Sequence, residues 1–513
     1  MKSFIWISRL LVSALLILLF ANFQIDKDRF PDPVVKIGMA KITGSIVNLK
    51  LPDGDKRVVL SVFVYNPITG NDDITTYTTT IDEKNRFVIQ VPLECNTEIC
   101  GFNIGNNSKL FGWGYIGLDQ SKELKLNLVF DDNGKMLVNA TGGLSFSTDD
   151  ILNICEAYGL FEDCHTWGEF QTMSPKEFLD HELNISLKKR MSAVFDSLAF
   201  SDKVKRYLKD DIKLRFYKGR LFYYKETVEQ SLKMNKILTT DTVVEPDKSY
   251  YTFLKDLDLN NPQYLYCEDY KYFLKRFLQI PAFKIPDINE IPIDEWLSTI
   301  KKSISGVVGF SSGFFYDLLA TKAYIYQIKN DQTPLTKQQI INIQAFFTDD
   351  RKDLGKLIIA SNNQLIIKLN ECQDLKINET PNAIKGNVVD AIVSKYKGSV
   401  VVVDLWATWC GPCIKAMSDM KSLKIEMKQK GVIFAYITNR SSPEDLWKST
   451  IKTIGGEQYY LINGEWDTLM EYYNLKYIPS YLIFDKSGEL KQKITGFPGE
   501  EKMRKMIEDL VGQ

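Results

Sequence analysis

The chain has 513 residues, which at about 150 residues per domain predicts roughly three domains. Hydrophobic residues at 44% and charged residues at 25% are the proportions of a packed globular protein and argue against wholesale disorder or a multi-span membrane protein. Lys and Arg number 64 against 65 Asp and Glu, a formal net charge of −1, so nothing draws the chain to a polyanion and nucleic acid is not an expected partner.

Lys2 and Arg9 precede an apolar run from Leu10 to Phe23, and the chain turns polar from Gln24 through Asp26, Lys27, Asp28 and Arg29. An all-apolar segment behind basic residues at the extreme N-terminus predicts an export signal over residues 1–24 rather than a buried core helix. Ala21 suits a cleavage site but Leu19 is not small, so a cleaved signal and an uncleaved membrane anchor both stay open. The first cysteine is Cys95, too far along to carry a lipid near the signal. In an oxidising compartment cysteines tend to pair, so each of the eight needs its own reading.

From residue 34 to 142 the pattern is β. Leu60, Val62 and Val64 alternate with their neighbours, as do Phe87, Ile89 and Val91, then Leu124, Leu126, Leu128 and Phe130. Turn residues punctuate them at Pro52-Asp53-Gly54, Asn66-Pro67, Asp82 to Asn85 and Asp131-Asp132-Asn133-Gly134. A small β-sandwich is expected. Cys95 and Cys100 within it are either bridged across a tight loop or two separate buried thiols.

The period changes after Gly142-Gly143, and residues 143–350 are predicted to form a helical middle domain. Ser174-Pro175-Lys176-Glu177 reads as a capping box, with Leu183, Leu187, Met191, Val194 and Leu198 following at helical spacing. The aromatic set Phe222, Tyr223, Tyr224, Tyr250, Tyr251, Tyr264 and Tyr266 suits a core better than a ligand groove. His165 and His181 are the two histidines of the chain. Cys164-His165 and Cys155 lack regular four-ligand spacing, so no metal and no cofactor is expected. Cys267 and Cys372 have no evident mate.

The chemistry lies in residues 375–513. Val400 to Val403 form a β-branched run suited to a strand buried on both faces; Asp404 to Trp409 lead into Cys410-Gly411-Pro412-Cys413, and Ile414 to Lys428 have helical composition. A strand–turn–Cys-x-x-Cys–helix order puts Cys410 at a helix N-terminus, where free amide N–H groups and the dipole favour a thiolate. Cys410 is therefore read as the attacking thiol and Cys413, one turn inside the helix, as the resolving thiol. A zinc half-site would need two more ligands nearby, and no Cys or His follows Cys413. Asp404, following the apolar run, is read as a buried carboxyl of raised pKa that exchanges a proton with Cys413. Trp406 and Trp409 are expected to pack around the pair.

The segment resembles thioredoxin. Trp409 precedes the cysteines, Gly411-Pro412 lies between them, and Asp404 falls where that family keeps a buried acid. Downstream, Val432 to Ile437 reads as a strand and Ser442 to Ile454 as a helix. A strand over Tyr477 to Phe484 begins at an Ile478-Pro479 step like the family's cis-proline; a hairpin at Asp485 to Gly488 and a helix over Glu500 to Val511 follow. With the export signal and long N-terminal domains, the chain is most similar to TlpA/ResA-like thiol-disulfide oxidoreductases. Where that family commonly has an acid and a proline three and five residues after the second cysteine, this chain has Ala416 and Ser418.

The resemblance implies a C-terminal α/β thioredoxin fold and disulfide exchange with protein clients, with Trp409, Gly411, Pro412, Ile478 and Pro479 positioning the client. It also implies a periplasmic site or the outer face of the cytoplasmic membrane, and a membrane thiol transporter as electron donor. Gly-Pro between the cysteines points to a reductant, since thioredoxin itself sits at about −270 mV. The competing reading is a cell-envelope binding or scaffold protein with a vestigial thioredoxin domain.

Overall fold

The computed structural model describes residues 28–50, 57–70, 74–106, 109–162, 170, 173–236, 243–371, 374–381, 387–462 and 464–512. The export segment, the turn at Pro52-Asp53-Gly54, the Cys164-His165 pair and Cys372 lie outside the described residues. Two compact units emerge, Met1–Tyr324 with Thr336–Ile358, and Ile325–Leu335 with Ile359–Gln513. Among the described residues no helix is long and apolar enough to cross a membrane.

In the first unit, strands β1 (Val35–Val47), β2 (Val59–Val64), β3 (Thr75–Thr80), β4 (Arg86–Cys95), β5 (Thr97–Gly105), β6 (Leu110–Asp119), β7 (Leu124–Phe130) and β8 (Met136–Thr141) form two four-stranded sheets. Their orders are β4-β1-β7-β8 and β3-β2-β5-β6. The alternating residues Leu60, Val62, Val64, Phe87, Ile89, Val91, Leu124, Leu126, Leu128 and Phe130 are all buried. Cys95 and Cys100 are two separate free thiols in the core, with no bridge between them.

Helices from Thr148–Glu162 to Lys352–Glu371 follow. Ser174 caps the Pro175–His181 helix with a reciprocal capping box to Glu177. A π-turn at Glu182–Ser186 then widens the run before Leu187–Phe195 and leaves Glu182 buried, accepting from Arg220 Nε at 3.0 Å. Phe222, Tyr224, Tyr250, Tyr251, Tyr264 and Tyr266 are core residues.

The second unit carries the Cys410–Cys413 pair. Its six-stranded sheet has the order β14-β13-β10-β11-β12-β9, built from β9 (Lys376–Asn378), β10 (Val401–Leu405), β11 (Ile433–Asn439), β12 (Glu457–Leu461), β13 (Ser480–Phe484) and β14 (Leu490–Thr495). The β-branched run makes β10 central, parallel to β11, antiparallel to β13 and buried at every position. Because side chains alternate along a strand, β10 feeds two cores. Val401, Val403 and Leu405 pack with the Val388–Ser394 helix and with Leu469 and Tyr473. Val402 and Trp406 share the other core with Cys410, Cys413, Leu423, Met427, Met503 and Ile507.

Several element bounds differ from those the sequence suggests, each for a local reason. The strand expected from Tyr477 begins at Ser480, because Pro479 brings no N–H to a ladder; the Ile478–Pro479 peptide is cis, as the sequence suggests. The helix expected from Ser442 starts at Glu444, since Pro443 disfavours helical backbone in the residue before it. The long helix after the cysteines is two, Gly411–Asp419 and Lys421–Gln429, meeting at Met420 (φ −84°, ψ 2°) although no proline or glycine stands there.

Candidate active site

β10 ends at Leu405, and the chain crosses five residues without regular structure before the Gly411–Asp419 helix begins. Cys410 is the N-cap of that helix. Its Sγ accepts from the backbone N–H of Cys413 at 3.2 Å, and its carbonyl accepts from Cys413 N–H at 3.0 Å and Ile414 N–H at 3.1 Å. Pro412 sits in the first turn, where its missing N–H costs nothing. Cys410 and Cys413 are joined in a disulfide with Cα atoms 5.3 Å apart, Cys413 wholly buried and Cys410 4% exposed. A side chain added at Gly411 would meet nothing within 4 Å, so the surface beside the pair is open.

Asp404 falls on the face of β10 that Val402 and Trp406 share with the cysteines, and it is 2% exposed. Burial pushes its carboxyl up to about 8, against which the positive charge of Lys424 pulls down. Lys424 itself stands 4.9 Å over the ring of Tyr436, the residue paired with Asp404 across the β10–β11 ladder. No spacing rule in the sequence connects Lys424 to Asp404, 20 positions before it.

The cis-proline stands at the same end of the sheet. Leu405 pairs with Ser480, so Pro479 precedes β13 just where β10 runs out into the cysteine loop. Gly496 N–H donates to the Pro479 carbonyl at 2.8 Å, and Ser480 Oγ donates to the Tyr477 carbonyl at 2.7 Å. Ile478 packs against both cores from the rim. The two tryptophans part company: Trp406 is fully buried, whereas Trp409 is 64% exposed and lies on the surface beside Cys410. Ala416, where the family acid would stand, is buried in the helix that carries the pair.

A cysteine pair across the first turn of a helix, fed by a central strand of an α/β sheet and flanked by a proline-led strand, is the arrangement of the thioredoxin-like thiol-disulfide oxidoreductases. Residues 380–510 match the Redoxin family. Over 118 residues the chain is 30% identical to the thiol-disulfide oxidoreductase ResA of Geobacillus kaustophilus (strain HTA426), covering 23% of this chain and 67% of that protein. It is 24% identical over 118 residues to the ResA of Geobacillus thermodenitrificans (strain NG80-2), with the same coverage. Among solved structures, the thioredoxin domain of a thiol-disulfide oxidoreductase from Bacteroides vulgatus shares 22% identity over 22% of this chain and 83% of that one, with a TM-score of 0.21. Through its C-terminal domain the chain belongs to the ResA-like thiol-disulfide oxidoreductases of the thioredoxin superfamily.

Proposed function

We propose that the protein is an exported reductant that transfers two electrons from the Cys410–Cys413 dithiol to disulfides of protein clients. The observation that carries this reading is the capping geometry, in which Cys410 Sγ receives the Cys413 N–H at the helix N-terminus with the second thiol in bonding reach. In the reduced protein the Cys410 thiolate attacks one sulfur of a client disulfide, forming a mixed disulfide and expelling the other client sulfur as a thiolate, which takes a proton from solvent. Cys413 then gives its proton to the Asp404 carboxylate and attacks Cys410 Sγ. The mixed disulfide breaks, the second client thiolate leaves, and the Cys410–Cys413 disulfide remains. Asp404 is suited to that exchange by a pKa of about 8, close to that of a free thiol.

In this reading Trp409, Gly411, Pro412, Ile478 and Pro479 line the surface on which the client chain lies. The domain limits 34–142, 143–350 and 375–513 divide the work, the first two contributing no group to the exchange and holding a client or a partner. The dithiol is regenerated by a membrane thiol transporter outside the cytoplasmic membrane, to which residues 1–24 direct or anchor the chain.

The test is turnover of insulin disulfides by the full chain with dithiothreitol as reductant. Activity that disappears in Cys410→Ser is expected; activity that survives it, or none in the parent, overturns the reading.

A further inference from the structure

Resting on the exchange reaction proposed above, we propose that Ser441, on the loop after β11, is a positioning residue that fixes the Trp409 indole beside Cys410 and thereby governs capture of protein disulfides.

The loop from Trp406 to Cys410 hangs on the end of β11 by hydrogen bonds from three of its N–H groups. Trp406 N–H donates to the Ile437 carbonyl at 3.1 Å, Thr408 N–H to Ser442 Oγ at 3.0 Å, and Trp409 Nε1–H to Ser441 Oγ at 3.0 Å. Ser442 is the buried anchor of this arrangement. Its Oγ shares a hydrogen bond with Thr438 Oγ1 at 2.8 Å, its N–H donates to the Asn439 carbonyl at 3.0 Å, and its own carbonyl accepts from the Tyr460 hydroxyl at 2.7 Å. Ser441 is therefore held in place by its neighbour, and its hydroxyl is committed in both directions. The oxygen accepts from the indole, and the O–H donates to Asn439 Oδ1 at 2.7 Å, an oxygen that also accepts the Ser441 N–H at 3.1 Å.

Packing cannot choose the rotamer of a ring that is mostly exposed. The hydrogen bond to Ser441 supplies the missing restraint. A large apolar ring adjoining the attacking sulfur, with a fixed orientation, offers flat area to the polypeptide flanking a client disulfide at little further cost in conformational freedom. That benefit reaches substrates with chain on either side of the sulfurs, so it belongs to KM for proteins rather than to the exchange step at sulfur.

The experiment uses the full chain with insulin as substrate and dithiothreitol as reductant, on the parent, Ser441→Ala, Ser441→Thr, Trp409→Phe and the double variant Trp409→Phe/Ser441→Ala. Loss of one neutral hydrogen bond corresponds to a change of roughly two- to tenfold. Ser441→Ala is expected to raise KM by that factor with kcat within about twofold, and Ser441→Thr to restore KM. In the Trp409→Phe background, which lacks the indole donor, Ser441→Ala is expected to add nothing. An unmoved KM in Ser441→Ala, failure of threonine to restore it, or an equal rise with and without Trp409 overturns the inference while leaving the exchange reaction standing. Absence of Cys410-dependent turnover in the parent overturns the reaction and this inference with it.

Discussion

Asp404 and Tyr481 are directly opposed across the β10–β13 ladder, so the carboxyl and the phenol rise from the same face of the sheet, the face that buries Cys413. Burial lifts both. The carboxyl goes to about 8, and the phenol is pushed far above its usual range by burial and then by the charge of Asp404. At neutral pH the pair is predominantly uncharged, and the carboxyl is the first of the two to ionise.

That arrangement fixes the sign of a pH effect on stability. Between the ordinary carboxylate pKa of 3.8 and about 8 the unfolded chain has released this proton while the folded chain keeps it. Stability is therefore fully retained below pH 3.8 as far as this group is concerned, and it is lost as pH rises toward 8, by at most about 1.4 kcal/mol per pH unit. Asp404→Asn removes the titration, so urea unfolding at pH 5 and pH 8 should show the parent losing stability with pH relative to the variant. Parallel pH dependence in the two proteins would contradict the raised pKa.

The same titration should appear in the second chemical step. If ionised Asp404 receives the Cys413 proton, resolution of a mixed disulfide should accelerate as pH approaches 8, and Asp404→Asn should slow resolution at least tenfold more than the initial attack by Cys410. Single-turnover mixing of the reduced protein with a chromogenic disulfide separates the steps. Equal slowing of both would remove the acid from proton transfer and leave it a packing residue.

Assignment of the two cysteines is tested by trapping. Cys410 Sγ stands at the helix cap and Cys413 is wholly inside the core, so the first bond to a client should form at Cys410. Cys413→Ser is expected to accumulate mixed disulfides visible on non-reducing gels and released by dithiothreitol, whereas Cys410→Ser should trap none. In the reduced parent at pH 7, iodoacetamide should modify Cys410 faster than Cys413. Equal trapping by the two variants would reverse or erase the division of roles.

How far the sequence disclosed this site depends on how local each signal is. Val400 to Val403, Asp404, the Cys410–Cys413 motif and Ile478-Pro479 are legible because a buried strand, a helix cap and a proline-led strand each write their requirement into consecutive residues. β12 was not legible. Its residues Glu457 and Gln458 are polar yet buried, because Glu457 meets Lys376, Asn378 and Tyr396 while Gln458 donates to the Gly455 carbonyl. Ser441 carries no signal of its own either. Its partner Trp409 lies 32 residues earlier, and only the parallel pairing of β10 with β11 brings the two loops to the same end of the sheet.

Independence of the catalytic unit gives the last expectation. A segment starting at residue 375 keeps β9, whose Lys376 and Asn378 pair with buried Glu457, along with the helices and strands that build both cores around β10. Its apolar core spans more than 100 residues, enough for a cooperative domain. Residues 375–513 should therefore unfold in a single urea transition and reduce a small chromogenic disulfide about as fast as the full chain. A segment starting at 387 loses β9, uncovers the edge of β12 and leaves Glu457 without Lys376 and Asn378, which should cost on the order of 1–3 kcal/mol of stability. The longer continuous stretch of the compact unit begins earlier, at Ile359 within the Lys352–Glu371 helix, with Ile325–Leu335 as its separate piece, so a segment from 359 is the natural control. Cooperative unfolding of both longer segments, with the 387 segment weaker, would set the functional boundary at β9. A folded 359 segment beside an unfolded 375 segment would move that boundary into the helix and make its last turns part of the catalytic domain.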